Sequence, residues 1–128
     1  MARILVVDDS PTEMFRFKEI LIKNGYEVLE ATNGADGVTL ALAEQPDLIL
    51  MDVVMPGVNG FQATRHIARD DTTKHIPIVI VSTKDQDTDR AWGKRQGACE
   101  YLTKPIDEVE LLQVIALHLK PETDSQLA

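Results

Sequence analysis

Only one cysteine, Cys99, occurs in the 128 residues, so neither an intrachain disulfide nor a thiolate metal site can be assembled. Cysteine usage of this kind suits a reducing compartment. Basic residues are also scarce. Thirteen Lys and Arg stand against 21 Asp and Glu, a formal charge of −8, and no Lys/Arg cluster is present to track phosphates. Nucleic acid is therefore not an expected partner. Long apolar runs are missing too. The N-terminal run Ile4, Leu5, Val6, Val7 is far too short for a signal-peptide core and ends in two aspartates. No window approaches the ~20 apolar residues of a membrane span. A cytoplasmic chain without membrane insertion is expected. The three histidines, His66, His75 and His118, are scattered without ligand spacing and are expected to face solvent.

What is present is a hydrophobic fraction of 44%, enough for one sizeable core. One domain over residues 1–120 is expected, followed by a polar tail over 121–128. Short apolar runs alternate with longer helical patterns five times. The strand candidates are 3–8, 26–31, 47–52, 77–82 and 99–103, the last with Cys99 as a buried strand residue. Two of them, ILVV and IVIV, are continuous aliphatic runs, the pattern of central parallel strands covered on both faces.

The helices carry their own punctuation. Ser10-Pro11-Thr12-Glu13 predicts a capping box with Pro11 at the first helical position and Glu13 reaching back, and Asn24-Gly25 closes that helix. A second helix from Asn33 is expected to bury Ala35, Val38 and Leu42. The third, from Asn59, uses Phe61, Thr64, Ile67 and Ala68. The fourth, over 85–96, is polar nearly all round and should pack weakly, with Thr83 as a structural cap before it. The fifth, over 107–119, presents Leu111, Leu112, Ile115 and Leu119 to the core. Val114 and Leu117 fall on its opposite face.

Alternating βα units imply an open parallel sheet with right-handed crossovers, whose ligands sit beyond the carboxyl ends of the strands. Four of the five strand ends carry chemistry: Asp8-Asp9, Asp52, Ser82-Thr83 and Lys104. Three carboxylates in one crevice repel each other unless a cation sits among them. An all-oxygen donor set with no His or Cys favours a hard ion such as Mg²⁺, which takes a few carboxylates plus phosphate oxygens. Lys104 supplies a charge for a phosphate oxygen and Ser82 a hydroxyl, while an aspartate can accept a phosphoryl group covalently. Any one of these features alone is better read as a turn, a cap or a core residue. Their ordered set at neighbouring strand ends is not.

VVDDSP, LILMDVVMPGVNG, VIVST and YLTKP together resemble the receiver domain of two-component response regulators, over residues 3–119. The resemblance implies a flavodoxin-like (βα)5 fold, CheY-like, with strand order 2-1-3-4-5. It implies Asp52 as phosphoacceptor, supplied by a histidine kinase, with Lys104 holding a phosphoryl oxygen and with the Lys104–Pro105 peptide bond cis. Asp9, Asp52 and the Val54 backbone carbonyl would ligate Mg²⁺, with Asp8 acting through a metal-bound water. Ser82 is implied as the switch hydroxyl, and Tyr101 as the switch aromatic, whose ring turns inward when the hydroxyl moves. Such a domain is not an enzyme in its own right. It assists only its own phosphorylation and dephosphorylation.

DDSPTE, VMPGVNGFQATR and TKDQDTDRAWGKRQGA are similar to stand-alone, PilH-like regulators of type IV pilus twitching motility. That likeness implies a chemotaxis-type kinase and signalling through a downstream protein target or action as a phosphate sink. A surface on the fourth helix, fifth strand and fifth helix, including Val114, Leu117 and Trp92, is expected to serve a homodimer or partner. Three other classes fit less well. A haloacid-dehalogenase-type phosphatase wants a second acid where Val54 stands. A phosphorylation-independent binding module would have lost an acid or the lysine. A flavodoxin-like electron carrier needs a Ser/Thr/Gly-rich first loop.

Overall fold

The computed structural model describes residues 1–119. Five strands and five helices alternate: β1 (Arg3–Val7), α1 (Pro11–Lys23), β2 (Glu27–Ala31), α2 (Gly34–Glu44), β3 (Leu48–Met51), α3 (Gly60–Arg69), β4 (Ile78–Ser82), α4 (Asp87–Gln96), β5 (Glu100–Thr103) and α5 (Glu108–His118). All pairings are parallel, and the sheet runs β2-β1-β3-β4-β5 as expected. The proposed tail over 121–128 lies outside the described residues. Among those described, no helix is long and apolar enough to cross a membrane.

The continuous aliphatic strands are explained by burial on both faces. Leu5, Val7, Ile49, Met51 and Ile80 pack under α2 and α3, whereas Ile4, Val6, Leu50, Val79 and Val81 pack under α1 and α5. Each such side chain contributes about 1.5–3 kcal/mol when fully buried. By that measure α4 is held least, since it buries only Gly93 and Gln96. The weak packing expected of the fourth helix is therefore observed.

Several sequence expectations shift. The first capping box is only half formed: Ser10 Oγ accepts from the Glu13 amide at 3.3 Å, but the Ser10 amide donates to Asp8 Oδ1 at 2.9 Å. Asp8 has taken the place intended for the Glu13 side chain. In α2 the buried stripe is Gly34, Gly37, Val38 and Ala41, leaving Ala35 and Leu42 exposed. Small residues let this helix lie close to the sheet; a Cβ on Gly37 would stand 2.9 Å from Val7 Cγ2. Val38 is buried as expected, but hydrophobic periodicity cannot see the Gly34 and Gly37 part of that face.

In α3 the buried positions are Gly60, Ala63, Thr64 and Ile67, with Phe61 and Ala68 only partly covered. Helix α4 begins after Gln86, whose amide donates to Asp89 Oδ2, so Thr83 is not its cap. Val114 is half-buried against the α1/α5 core instead of facing solvent, because the α5 packing arc is wider than its strongest stripe. Cys99 is partly exposed and precedes β5. His66 and His75 are exposed, but His118 Nε2 lies 3.1 Å from Glu100 Oε2 and is partly buried against it.

Candidate functional site

Strand order reverses between β1 and β3, and the crevice at that switch point is where the candidate residues meet. Val7 and Met51 are partners in register, so Asp8 and Asp52 sit side by side one step beyond them. The backbone ladder reaches that far: the Asp8 amide donates to Ala31 O at 3.0 Å and the Asp52 amide to Val7 O at 2.9 Å. Both aspartates are thus anchored by the sheet although they end it.

Asp8 is 1% exposed and Asp52 8% exposed, while Asp9 faces solvent. One carboxylate oxygen from each can be drawn from a set lying within 4.8 Å of one another. Lys104 reaches in from the end of β5. Its Nζ donates to Asp8 Oδ2 at 2.9 Å and lies 3.8 Å from Asp52 Oδ1. Asp52 Oδ1 also accepts from the Val53 amide at 2.8 Å. The Lys104–Pro105 bond is cis, as expected.

Burial pushes the Asp52 carboxyl up to about 6, with Asp8 adding to the rise and Lys104 opposing it. Burial works to lower Lys104, but the hydrogen bond to Asp8 and the charges of Asp52 and Asp8 prevail and hold it above its ordinary value. One ammonium cannot neutralise three carboxylates; with all ionised the cluster keeps a net charge of −2. An all-oxygen set with that excess fits a small hard divalent cation. Asp8, Asp9 and Asp52 are the side chains able to hold it.

Ser82 ends β4 fully buried, and its Oγ accepts from the Lys84 amide at 3.2 Å. Tyr101 is 4% exposed, with its hydroxyl donating to the Lys84 carbonyl at 2.7 Å. The two implied switch residues are therefore joined through the backbone of a single residue. Val54 stands two places after Asp52 in the β3–α3 loop, with its side chain exposed.

Sequence reasoning missed Gly60, Arg90 and Gly93. Gly60 abuts the Asp52 carbonyl so closely that any Cβ would collide with it. The Asn59-Gly60 pair was a usable signal, as a cap followed by a close approach. Arg90 spans from α4 to β5, donating to Tyr101 O at 3.2 Å and to Thr103 Oγ1 at 2.6 Å. An arginine on a polar helix gives no local sign of such a role.

Comparison with known proteins agrees with this geometry. The response regulator receiver domain model matches residues 4–116. Protein PilH of Pseudomonas aeruginosa is 63% identical over 115 residues, covering 90% of this chain and 95% of PilH. The chemotaxis protein CheY4 of Vibrio cholerae superposes with a TM-score of 0.87 at 31% identity, covering 93% of this chain and 99% of CheY4. The receiver domain of sensor histidine kinase PA1611 from Pseudomonas aeruginosa, solved with magnesium coordinated in its active-site cleft, gives 0.85 at 29% identity, covering 91% and 96%.

Proposed function

Since the chain belongs to the response regulator receiver domain family, we propose that it is a phosphorylation switch with Asp52 as the acceptor. An Asp52 carboxylate oxygen forms the new bond to phosphorus as the bond from phosphorus to the donor histidine nitrogen breaks. The electron pair of the broken bond leaves with the imidazole. The observation that carries this reading is the placement of Asp52: nearly buried, at the topological switch point, with Asp8 beside it and Lys104 Nζ 3.8 Å away.

Phosphoryl transfer asks mainly for positioning and charge neutralisation. Asp8, Asp9 and Asp52 would hold Mg²⁺, with the Val54 carbonyl a further ligand by family likeness and Asp8 acting through a metal-bound water. Bound there, Mg²⁺ supplies positive charge against the developing phosphoryl oxygens. Lys104 would hold one of those oxygens, exchanging its bond to Asp8. Ser82 and Tyr101 belong to the face that reports the event. On this reading the chain has no turnover on another substrate and acts only on its own phosphoryl group.

A chemotaxis-type histidine kinase as donor, and a place in type IV pilus motility, rest on the likeness to PilH. A downstream contact surface across α4, β5 and α5 draws on Trp92, 47% exposed, and Leu117, 71% exposed. A homodimer through that face is the reading tested by Trp92→Lys with Leu117→Lys. Unchanged self-association and partner binding in that variant would exclude it.

The primary test is intact mass after incubation with Mg²⁺ and a small acyl-phosphate donor. One phosphoryl gain is expected, lost with EDTA and in Asp52→Asn. No gain, together with no Trp92 fluorescence response to beryllofluoride, overturns the reading in favour of a phosphorylation-independent binding module.

A further inference from the structure

Receiver resemblance implies an aromatic ring that turns inward when the switch hydroxyl moves. In this structure the Tyr101 ring is inward, and specific contacts hold it there. The ring is buried, its hydroxyl bonds the Lys84 carbonyl at 2.7 Å, and the Arg90 guanidinium stands 5.4 Å from its centroid. Arg90 also donates to the Tyr101 carbonyl at 3.2 Å and to Thr103 Oγ1 at 2.6 Å. These partners lie on the β4–α4 loop, α4 and β5, and the Ser82 side chain also acts on the Tyr101 hydroxyl. Of the groups that hold the ring inward, Arg90 and Lys84 are the ones away from the acceptor.

Gly93 gives a second, independent sign. Glycine is disfavoured in a helix interior, yet Gly93 stands mid-helix in α4 and is buried. A Cβ there would lie 2.9 Å from Ile80 Cδ1, 3.0 Å from Tyr101 Cδ2 and 3.3 Å from Tyr101 Cε2. The missing side chain leaves room that the inward ring shares with Ile80. A helix that otherwise buries little apolar surface has one polar clamp on the ring and one cut-out beside it.

We infer that Arg90 is a positioning residue that holds Tyr101 inward whether or not Asp52 is phosphorylated, so that the part of the switch left free to move is the Ser82 hydroxyl. The planar fork of arginine allows it to serve the Tyr101 carbonyl, the Thr103 hydroxyl and the ring face together, which a lysine ammonium cannot do. Ser82 Oγ accepts from the Lys84 amide while Tyr101 bonds the Lys84 carbonyl. Drawing the Ser82 hydroxyl toward a phosphoryl oxygen therefore releases the Lys84 amide while the Lys84 carbonyl stays on the Tyr101 hydroxyl. This consequence rests on the phosphorylation-switch reading; the restraint on the ring does not.

The test is photochemically induced nuclear polarisation with a flavin dye, which reports whether a tyrosine ring is accessible. A Tyr26→Phe background leaves Tyr101 as the sole tyrosine. With Arg90 present, no Tyr101 signal is expected with or without Mg²⁺ and beryllofluoride. In Arg90→Ala a signal should appear without beryllofluoride and fade with it, and Arg90→Lys should behave like Arg90→Ala. Beryllofluoride affinity of Arg90→Ala should fall about threefold if the inward population drops to about one third. A Tyr101 signal in the Arg90 protein that beryllofluoride abolishes would overturn the inference, as would a silent ring in Arg90→Ala. Should Arg90→Ala not fold, Thr103→Val removes one bond of the clamp. A rise in signal there supports the inference and none overturns it. Absence of beryllofluoride binding to the unaltered protein would instead count against the phosphorylation switch, leaving the dye-access comparison without beryllofluoride intact.

Discussion

Lys104 and Asp8 are bound to each other deep in the rim: Nζ meets Oδ2 at 2.9 Å, with side chains 9% and 1% exposed. Removing the ammonium strands Asp8 and leaves Asp52 beside it without its nearest cation. Breaking one half of a buried pair costs about 3–5 kcal/mol. Lys104→Met is therefore expected to lose stability of that order in urea unfolding at pH 7 with EDTA. Part of the loss should return on adding Mg²⁺, which replaces the missing charge. A midpoint equal to that of the parent in EDTA would contradict the assignment.

Asp52 sets a pH dependence with a definite sign. Its carboxyl titrates near 6 in the fold against 3.8 for an ordinary aspartate. Below about pH 4 both folded and unfolded chains hold the proton, and Asp52 contributes nothing. Between about 4 and 6 the unfolded chain releases its proton first, so stability falls as pH rises. Above 6 the loss is complete, about 3 kcal/mol in size. In EDTA, Asp52→Asn should be more stable than the parent by about that amount at pH 8 and equal to it at pH 4. Chemical unfolding at the two pH values measures the difference, and a constant offset would exclude linkage to Asp52.

Thr64 illustrates a polar group that serves nothing visible in the fold. Its side chain is fully buried on α3, and its Oγ1 has no hydrogen-bond partner among the described residues. An unsatisfied buried hydroxyl costs about 1–3 kcal/mol, and valine preserves the branched shape. Thr64→Val is expected to raise stability by about 1 kcal/mol in thermal or urea unfolding, with the rate of Asp52 phosphorylation unchanged. A destabilised Thr64→Val would mean that the hydroxyl has a partner after all.

The layer order and the rim were legible in the sequence for a physical reason. Doubly covered strands must be continuously apolar, and the charged groups at Asp8, Asp52 and Lys104 interrupt those runs where the sheet stops. What could not be read is what small residues do. Helix α2 meets Val7 through Gly37, which carries no hydrophobic signal. The clamp on Tyr101 was equally hidden, because Arg90 on a polar helix looks like a solvated charge until β5 is placed beside it. Val114 was misjudged for a related reason: a wheel gives direction from the helix axis but not how far the neighbouring core reaches around it.

Gly60 offers the sharpest separation of stability from function. Its amide donates to the Val53 carbonyl at 3.0 Å, and an added Cβ would collide with the Asp52 carbonyl oxygen and lie 2.7 Å from Val53 Cα. These obstacles are backbone atoms, so Gly60→Ala must displace the segment that carries the acceptor. Overpacking of this kind costs about 1–3 kcal/mol, and a shift of about 1 Å in a reacting group can slow chemistry about 100-fold. Gly25→Ala is the matched control. It meets nothing within 4 Å but carries φ +89, so it loses stability through backbone strain far from the rim. Both variants should melt earlier than the parent, yet only Gly60→Ala should show a large fall in Mg²⁺-dependent phosphorylation followed by intact mass. Equal rates in the two would mean that the contact with Asp52 supports the fold alone and does not position the acceptor.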